Sequence, residues 1–331
     1  RQEVRRFFEQ LPAYFPALPL SLLSPLAAGA DQLVASVALE LDIPVIALLP
    51  IPLEMYREDF DSKAELAQFE SLLAQCQLLE LSLIHTDNNA DITDAKHARN
   101  LQYAQAGIFT SSHCHILLAL WDGSDNGYLG GTAQVVSYHL HGSMPGAIDR
   151  RQSATVTLGL DEETLVYHIP AGRQNQPLIT NKKCQWLTSA EGISYYEKLP
   201  SGFATQFSRQ SEFSHDRIQY RERIDADVPH TDIDCPIYRQ FIDADWLATT
   251  YRRRMTRILM ITYFLAALMG YSFIVYSDVM AKDLMIYLFL LFFLVGIGIN
   301  SVAKRREWHR QYIDYRALAE GLRVQSYWRR A

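Results

Sequence analysis

The chain lacks the residue patterns that announce metal, redox or P-loop chemistry. Its 331 residues include only 4 cysteines. Cys76, Cys114, Cys184 and Cys235 stand too far apart for a CxxC pair or any zinc-ligand spacing, so a reducing compartment fits. Neither the P-loop lysine pattern nor a GxGxxG dinucleotide fingerprint occurs. Basic excess is missing too. The net charge is −6, and the part ahead of Arg252 is acidic, which argues against a nucleic-acid partner. No signal-peptide pattern opens the sequence. It runs from Arg1 to Trp328-Arg329-Arg330-Ala331, as expected of a piece of a longer chain. Most informative is the complete absence of charge from two stretches, residues 258–276 and 284–302.

As a helix each stretch reaches about 28 Å, close to the thickness of a bilayer core. The short loop between them predicts a two-helix transmembrane hairpin. Arg252, Arg253, Arg254 and Arg257 precede the first stretch, and Lys304, Arg305, Arg306 and Arg310 follow the second. The loop carries only Lys282 beside Asp278 and Asp283. The positive-inside rule then places both flanks and both termini in the cytoplasm, in a multi-pass protein of the inner (cytoplasmic) membrane with the lipid bilayer as partner. A core helix of a soluble bundle would show a polar face, whereas Thr262, Tyr263, Tyr271, Ser272 and Tyr276 are scattered. Ala266 with Gly270, and Gly296 with Gly298, offer close helix approach.

Residues 1–173 read as an α/β domain with a parallel sheet covered on both faces. Buried strands are expected at 18–23, 44–50, 115–121 and 165–169. Helices are expected at 31–41, 62–81, 97–110 and 132–141. Residues 174–235 read as a poorly regular connector. Residues 236–331 form the membrane module, in which a helix from Pro236 leads into the bilayer. A last helix over 304–328 carries Trp308, Tyr312, Tyr315, Ala319, Leu322 and Ser326 in one stripe. That stripe suits packing on the pre-membrane helix, another subunit or the membrane surface. Arg316, Glu320 and Arg323 read as an ion-pair ladder on that helix or as a contact with a second subunit or lipid headgroups.

In such a sheet, ligands bind beyond the carboxyl ends of the strands. Two small-residue stretches lie there. One offers Ser24, Gly29, Ala30 and Asp31; the other offers Asp122, Gly123, Gly130, Gly131 and Thr132. Glycine lets backbone approach a phosphate, and a helix N-terminus presents free N–H groups. Thr132 reads as a cap or a phosphate donor, and Asp31 and Asp122 as ribose acceptors. His113, Cys114 and His115 run into a strand, where alternation splits them between faces, so no metal is expected. His139 and His141 read as helix-end residues.

Together, residues 24–31 (SPLAAGAD), Leu33-Val34-Ala35, Leu49-Pro50-Ile51-Pro52, Tyr56, Asp59-Phe60, residues 120–123 (LWDG) and Gly130-Gly131-Thr132-Ala133 resemble the SLOG superfamily of Rossmann-like nucleotide-sensing domains. The resemblance covers about half of the chain. Residues 315–323 (YRALAEGLR), after the two apolar stretches, look like the SLATT type of two-helix effector module. These resemblances imply a nucleotide ligand, ADP-ribose-like or cyclic ADP-ribose-like, and an effector role in bacterial antiphage defence; a single hairpin cannot enclose a pore, so that role calls for a homo-oligomer. They also imply a first strand with a Gly-rich turn ahead of Arg1. Hydrolase relatives place a glutamate where Val135 stands here, beside Gln134. Binding without turnover is therefore expected, with a membrane-tethered nucleotide N-glycosidase or a membrane scaffold as the alternatives.

Overall fold

The computed structural model describes residues 1–83, 96–125, 127–149, 163–172, 183–189, 194–228, 235–279 and 283–328. The chain divides into two compact units, Arg1–Arg209 and Gln210–Ala331.

The first unit opens with α1 (Gln2–Tyr14), whose buried Val4, Phe7, Phe8 and Leu11 follow helical spacing. Then come β1 (Leu22–Ser24), α2 (Ala30–Glu40), β2 (Val45–Leu49), the short α3 (Leu53–Tyr56), α4 (Lys63–Leu73) and β3 (Gln77–Glu80). The three strands form a parallel sheet in the order β1-β2-β3. Pro44 and Pro50 bracket β2, where a missing N–H costs no ladder bond. Further along lie α5 (Lys96–His113), β4 (Leu117–Trp121), α6 (Thr132–His141), the two-residue strands β5 (Ser143–Met144) and β6 (Ile148–Asp149), β7 (Leu165–Pro170), β8 (Gln185–Thr188) and β9 (Ser194–Tyr196). β4 pairs parallel with β7, while β8 and β9 add antiparallel. Val45, Ala47 and Leu49 of one sheet share a core with Leu165, Ile169 and Trp186 of the other.

Two expectations fail for physical reasons. Residues 62–81 are not one helix. α4 starts on a capping box between Ser62 and Glu65 but ends at Leu73, and β3 pairs with β2. All four β3 residues are exposed, so backbone pairing rather than a buried face selects strand there. The expected connector is also regular over its described residues. It contains β8, β9 and two helices, α7 (Ser201–Gln219) and α8 (Arg221–Asp227). Trp186 of β8 packs on Phe7 and Tyr167. In α7, Phe203 and Phe207 are buried, but further along the buried residues are Ser211 and Asp216. The stripe turns polar, which hides its period.

The second unit is a long antiparallel helix pair, α9 (Pro236–Ile274) against α10 (Asp283–Arg305) and α11 (Trp308–Trp328). α9 runs into a π-helical turn at Val275–Val279. Both helices are long and apolar enough to cross a membrane, and almost nothing in their apolar windows is buried inside the protein. A soluble core helix would be covered, so these uncovered faces are consistent with membrane association. Within them the hydroxyls of Thr262 and Ser272 donate to Ile258 O and Leu268 O, each at 2.9 Å, so these two side chains satisfy their polar hydrogens on their own helix. A Cβ added at Gly270, Gly296 or Gly298 would meet nothing within 4 Å. The small residues therefore do not mediate approach within this hairpin.

α11 lays Tyr315, flanked by Trp308 and Tyr312, against Leu247, Ala248 and Tyr251 of α9, which selects the pre-membrane helix among the expected partners of its stripe. The ladder forms as well, with Glu320 pairing Arg316 and Arg323, and Arg316 also reaching Asp245. The buried Asp216 carboxylate accepts from Tyr251 and Tyr315, both at 2.7 Å. Burial, with that carboxylate beside them, raises both phenols well above the ordinary tyrosine range. Buried Asp243 takes Arg221 at 3.1 Å and Arg217 at 3.9 Å. Asp216→Ala leaves two buried phenols without an acceptor and costs about 3 kcal/mol, whereas Arg323→Gln on the exposed ladder costs under about 0.5 kcal/mol. Thermal unfolding of the detergent-solubilised chain checks this; equal losses contradict it.

Candidate functional site

The carboxyl ends of β4 and β7 point the same way, because the two strands are parallel. A cleft of about 490 Å³ opens there. Its wall takes Leu120, Trp121 and Asp122 from the end of β4, Ala171 and Gly172 from just beyond β7, and Gly131, Thr132 and Ala133 from the start of α6. Ala28, Gly29 and Ala30, where α2 begins, complete it. The two small-residue loops thus meet at one cleft. Each leads into a helix whose N-cap is a glycine, Gly29 or Gly131, without a side-chain cap. Two sets of helix-end N–H groups therefore lie at the cleft wall, a setting suited to an anion.

Local chemistry holds each loop in shape. Ser24 is buried and its Oγ accepts from the Leu26 amide at 3.2 Å. Leu26 is buried with a left-handed φ of 56°, pinned by Gln32 Nε2 donating to its carbonyl at 3.3 Å. Tyr56 donates to Pro25 O at 2.9 Å. On the other loop, Asp122 Oδ1 accepts from the amide and hydroxyl of Ser124, and Trp121 Nε1 donates to Ser124 O at 2.7 Å. Gly130 has φ +78°, and a Cβ there would lie 2.8 Å from the Ala104 amide nitrogen. Only glycine lets this loop close on α5. Its own N–H donates to Gln134 Oε1 at 3.2 Å.

Of the residues expected at the site, Gly29, Ala30, Asp122, Gly131 and Thr132 line the cleft; Ser24, Asp31, Gly123 and Gly130 shape the loops behind it. Thr132 is the first helical residue of α6, and Gly131 holds the cap position in its place. Asp31 is half-buried under the first loop and accepts from the Ala27 amide. Burial pushes its pKa up to about 6 against that bond. Glu65, Ala171 and Gly172 were not expected. They come from elements remote in sequence, and only the β4–β7 pairing would have pointed to residues 171 and 172. Val135 packs against Gly107 and is absent from the cleft wall. The other loop aspartate, Asp125, accepts from the Gly127 amide at 2.9 Å.

The histidines sit in packing roles. His113 ends α5, stacked on Phe109 at 3.9 Å between centroids. It therefore lies on a helix and not in the expected strand. Burial pushes the Cys114 thiol up to about 12, far from nucleophilic. His139 is buried, with Nδ1 2.9 Å from Ser111 Oγ and Nε2 3.3 Å from Leu165 O. His141 is exposed in the last turn of α6. Comparison with protein-family models, curated proteins and solved structures returns no match.

Asp31 gives a pH test of the first loop. Its folded pKa of about 6 lies above the ordinary unfolded value near 4. The stability it contributes is full below about pH 4 and is lost as the pH rises through about 6. Asp31→Asn removes that titration, so the variant's Tm gains on the parent's across this window. A constant gap between the two curves contradicts the assignment.

Proposed function

We propose that the chain is a membrane-anchored sensor–effector whose cleft binds a nucleotide signal. The observation that carries this is the meeting of two glycine-started helix N-termini at one cleft. Their N–H groups suit phosphate oxygens. Asp122 and Asp125 suit ribose hydroxyls, and Trp121 and Tyr128 offer aromatic surface to a base. The resemblance to SLOG domains points to an ADP-ribose-like or cyclic ADP-ribose-like ligand and to bacterial antiphage defence. Both termini are assigned to the cytoplasm by the basic flanks. One hairpin cannot enclose a pore, so action on the membrane requires a homo-oligomer. A ligand that binds two assembly states unequally shifts between them.

A membrane-tethered nucleotide hydrolase is the second reading, favoured by one feature: Glu65 lines the cleft. Its carboxylate also accepts from the Ser62 amide in the capping box at 3.3 Å, which ties it to a structural task. One experiment separates the readings. The chain is reconstituted in dye-loaded vesicles, exposed to AMP, NAD, ADP-ribose and cyclic ADP-ribose, and assayed for leakage and for products by chromatography. A sensor–effector gives ligand-dependent leakage without sustained product, and Gly131→Trp, which fills the cleft mouth, reduces the response at least tenfold. Sustained product establishes the hydrolase; unchanged leakage in Gly131→Trp displaces the cleft.

A further inference from the structure

The cations around the membrane helices fall into two populations. Arg310 is held by Glu212, Glu307 and Asp314, and Arg316 and Arg323 are held by Asp245 and Glu320. Arg254 donates to Tyr220 OH at 2.7 Å and lies over the Tyr220 and Tyr251 rings. By contrast Arg252, Arg253, Arg257, Lys304, Arg305 and Arg306 are exposed, and none has an acidic partner among the described residues. The helix register brings these six to one level. Met255 Sδ lies 3.1 Å from His309 Nδ1, and Phe273 and Phe289 pack with centroids 6.2 Å apart. Counting along the antiparallel pair from either contact sets residue 257 beside residues 305–307. The six therefore gather at one end of the apolar hairpin, within about two helical turns of each other.

We propose that this belt binds the phosphates of anionic phospholipids in the leaflet it faces. The inference goes beyond the nucleotide reading but rests on membrane insertion of the hairpin. A solvated charge run needs no location; these six cluster at the level where the uncharged helices end and headgroups begin. Where the neighbouring arginines meet another helix, a partner is supplied: Glu212 for Arg310, Asp245 for Arg316 and the Tyr220 hydroxyl for Arg254. The six have no such partner among the described residues and are exposed where that insertion places headgroups. Cations beside an anionic surface each contribute roughly fivefold in affinity, screened within about 10 Å at 0.1 M salt. Neutralising three weakens anionic-lipid retention on the order of 100-fold.

The test is native mass spectrometry of the full chain in detergent with equimolar phosphatidylglycerol and phosphatidylcholine, alongside flotation with vesicles of each lipid. The parent retains phosphatidylglycerol in preference. K304Q/R305Q/R306Q and R252Q/R253Q/R257Q lose the preference, R323Q keeps it, and high salt removes it. R305K/R306K keeps charge and helicity and keeps the preference, which separates charge from a folding defect. Added inorganic phosphate does not displace the lipid. Equal retention of the two lipids by the parent, a preference that survives both triple variants, or its loss in R305K/R306K overturns the proposal. Equal flotation with both vesicles, without lipid preference, overturns the belt alone. Failure to float with either overturns membrane insertion as well.

Discussion

Two helices whose apolar faces find almost no cover inside the protein impose the constraint that organises the rest of the chain. Such faces suit hydrocarbon, where every backbone polar group must be satisfied within the segment. The long runs of α9 and α10 meet that demand through helical hydrogen bonding. Their few hydroxyls that face inward bond back onto their own helices. Charge is confined to the ends. α10 stops at Arg305, and Glu307 takes a left-handed φ of 50° before α11 begins. That turn sits where the chain leaves the apolar zone.

Beyond that turn, water-facing chemistry takes over on the same helix pair. Leu247, Ala248, Tyr251 and Tyr315 provide apolar packing. Register is specified by buried polar groups: Asp216 between two phenols, and Asp243 between Arg221 and Arg217. Burial raises the Asp243 carboxyl above its usual range while the arginines pull it back. Such groups add little net stability over an apolar substitute, but each misalignment leaves one unpaired. The polar base of the hairpin is therefore held in one alignment.

The apolar runs were legible in the sequence because their signal is length and lack of charge, which no neighbour can mask. Thr132–His141 was legible down to its ends, since Gly131 and Gly142 punctuate it. β3 was not, because Gln-Leu-Leu-Glu owes its strand to pairing with β2. α7 was missed because Ser211 and Asp216 occupy its buried face. Both small-residue loops were legible as loops, and their meeting followed from the strand-to-helix pattern. Ala171, Gly172 and Glu65 were not, since each reaches the cleft from a distant element. Asp31, read as a ribose acceptor at the end of the first small-residue stretch, is half-buried there with its carboxylate accepting from the Ala27 amide, a contact that no local pattern announces.

A cleft walled by two helix N-termini in one compact unit and an uncovered apolar hairpin in the other are what the proposal of a signal-receiving membrane device rests on. Its central claim is that a nucleotide occupies the cleft of an assembled protein. Native mass spectrometry of the full detergent-solubilised chain against a nucleotide panel tests it most directly. The account predicts one nucleotide adduct per subunit of an oligomer. A bare monomer throughout the panel would contradict it.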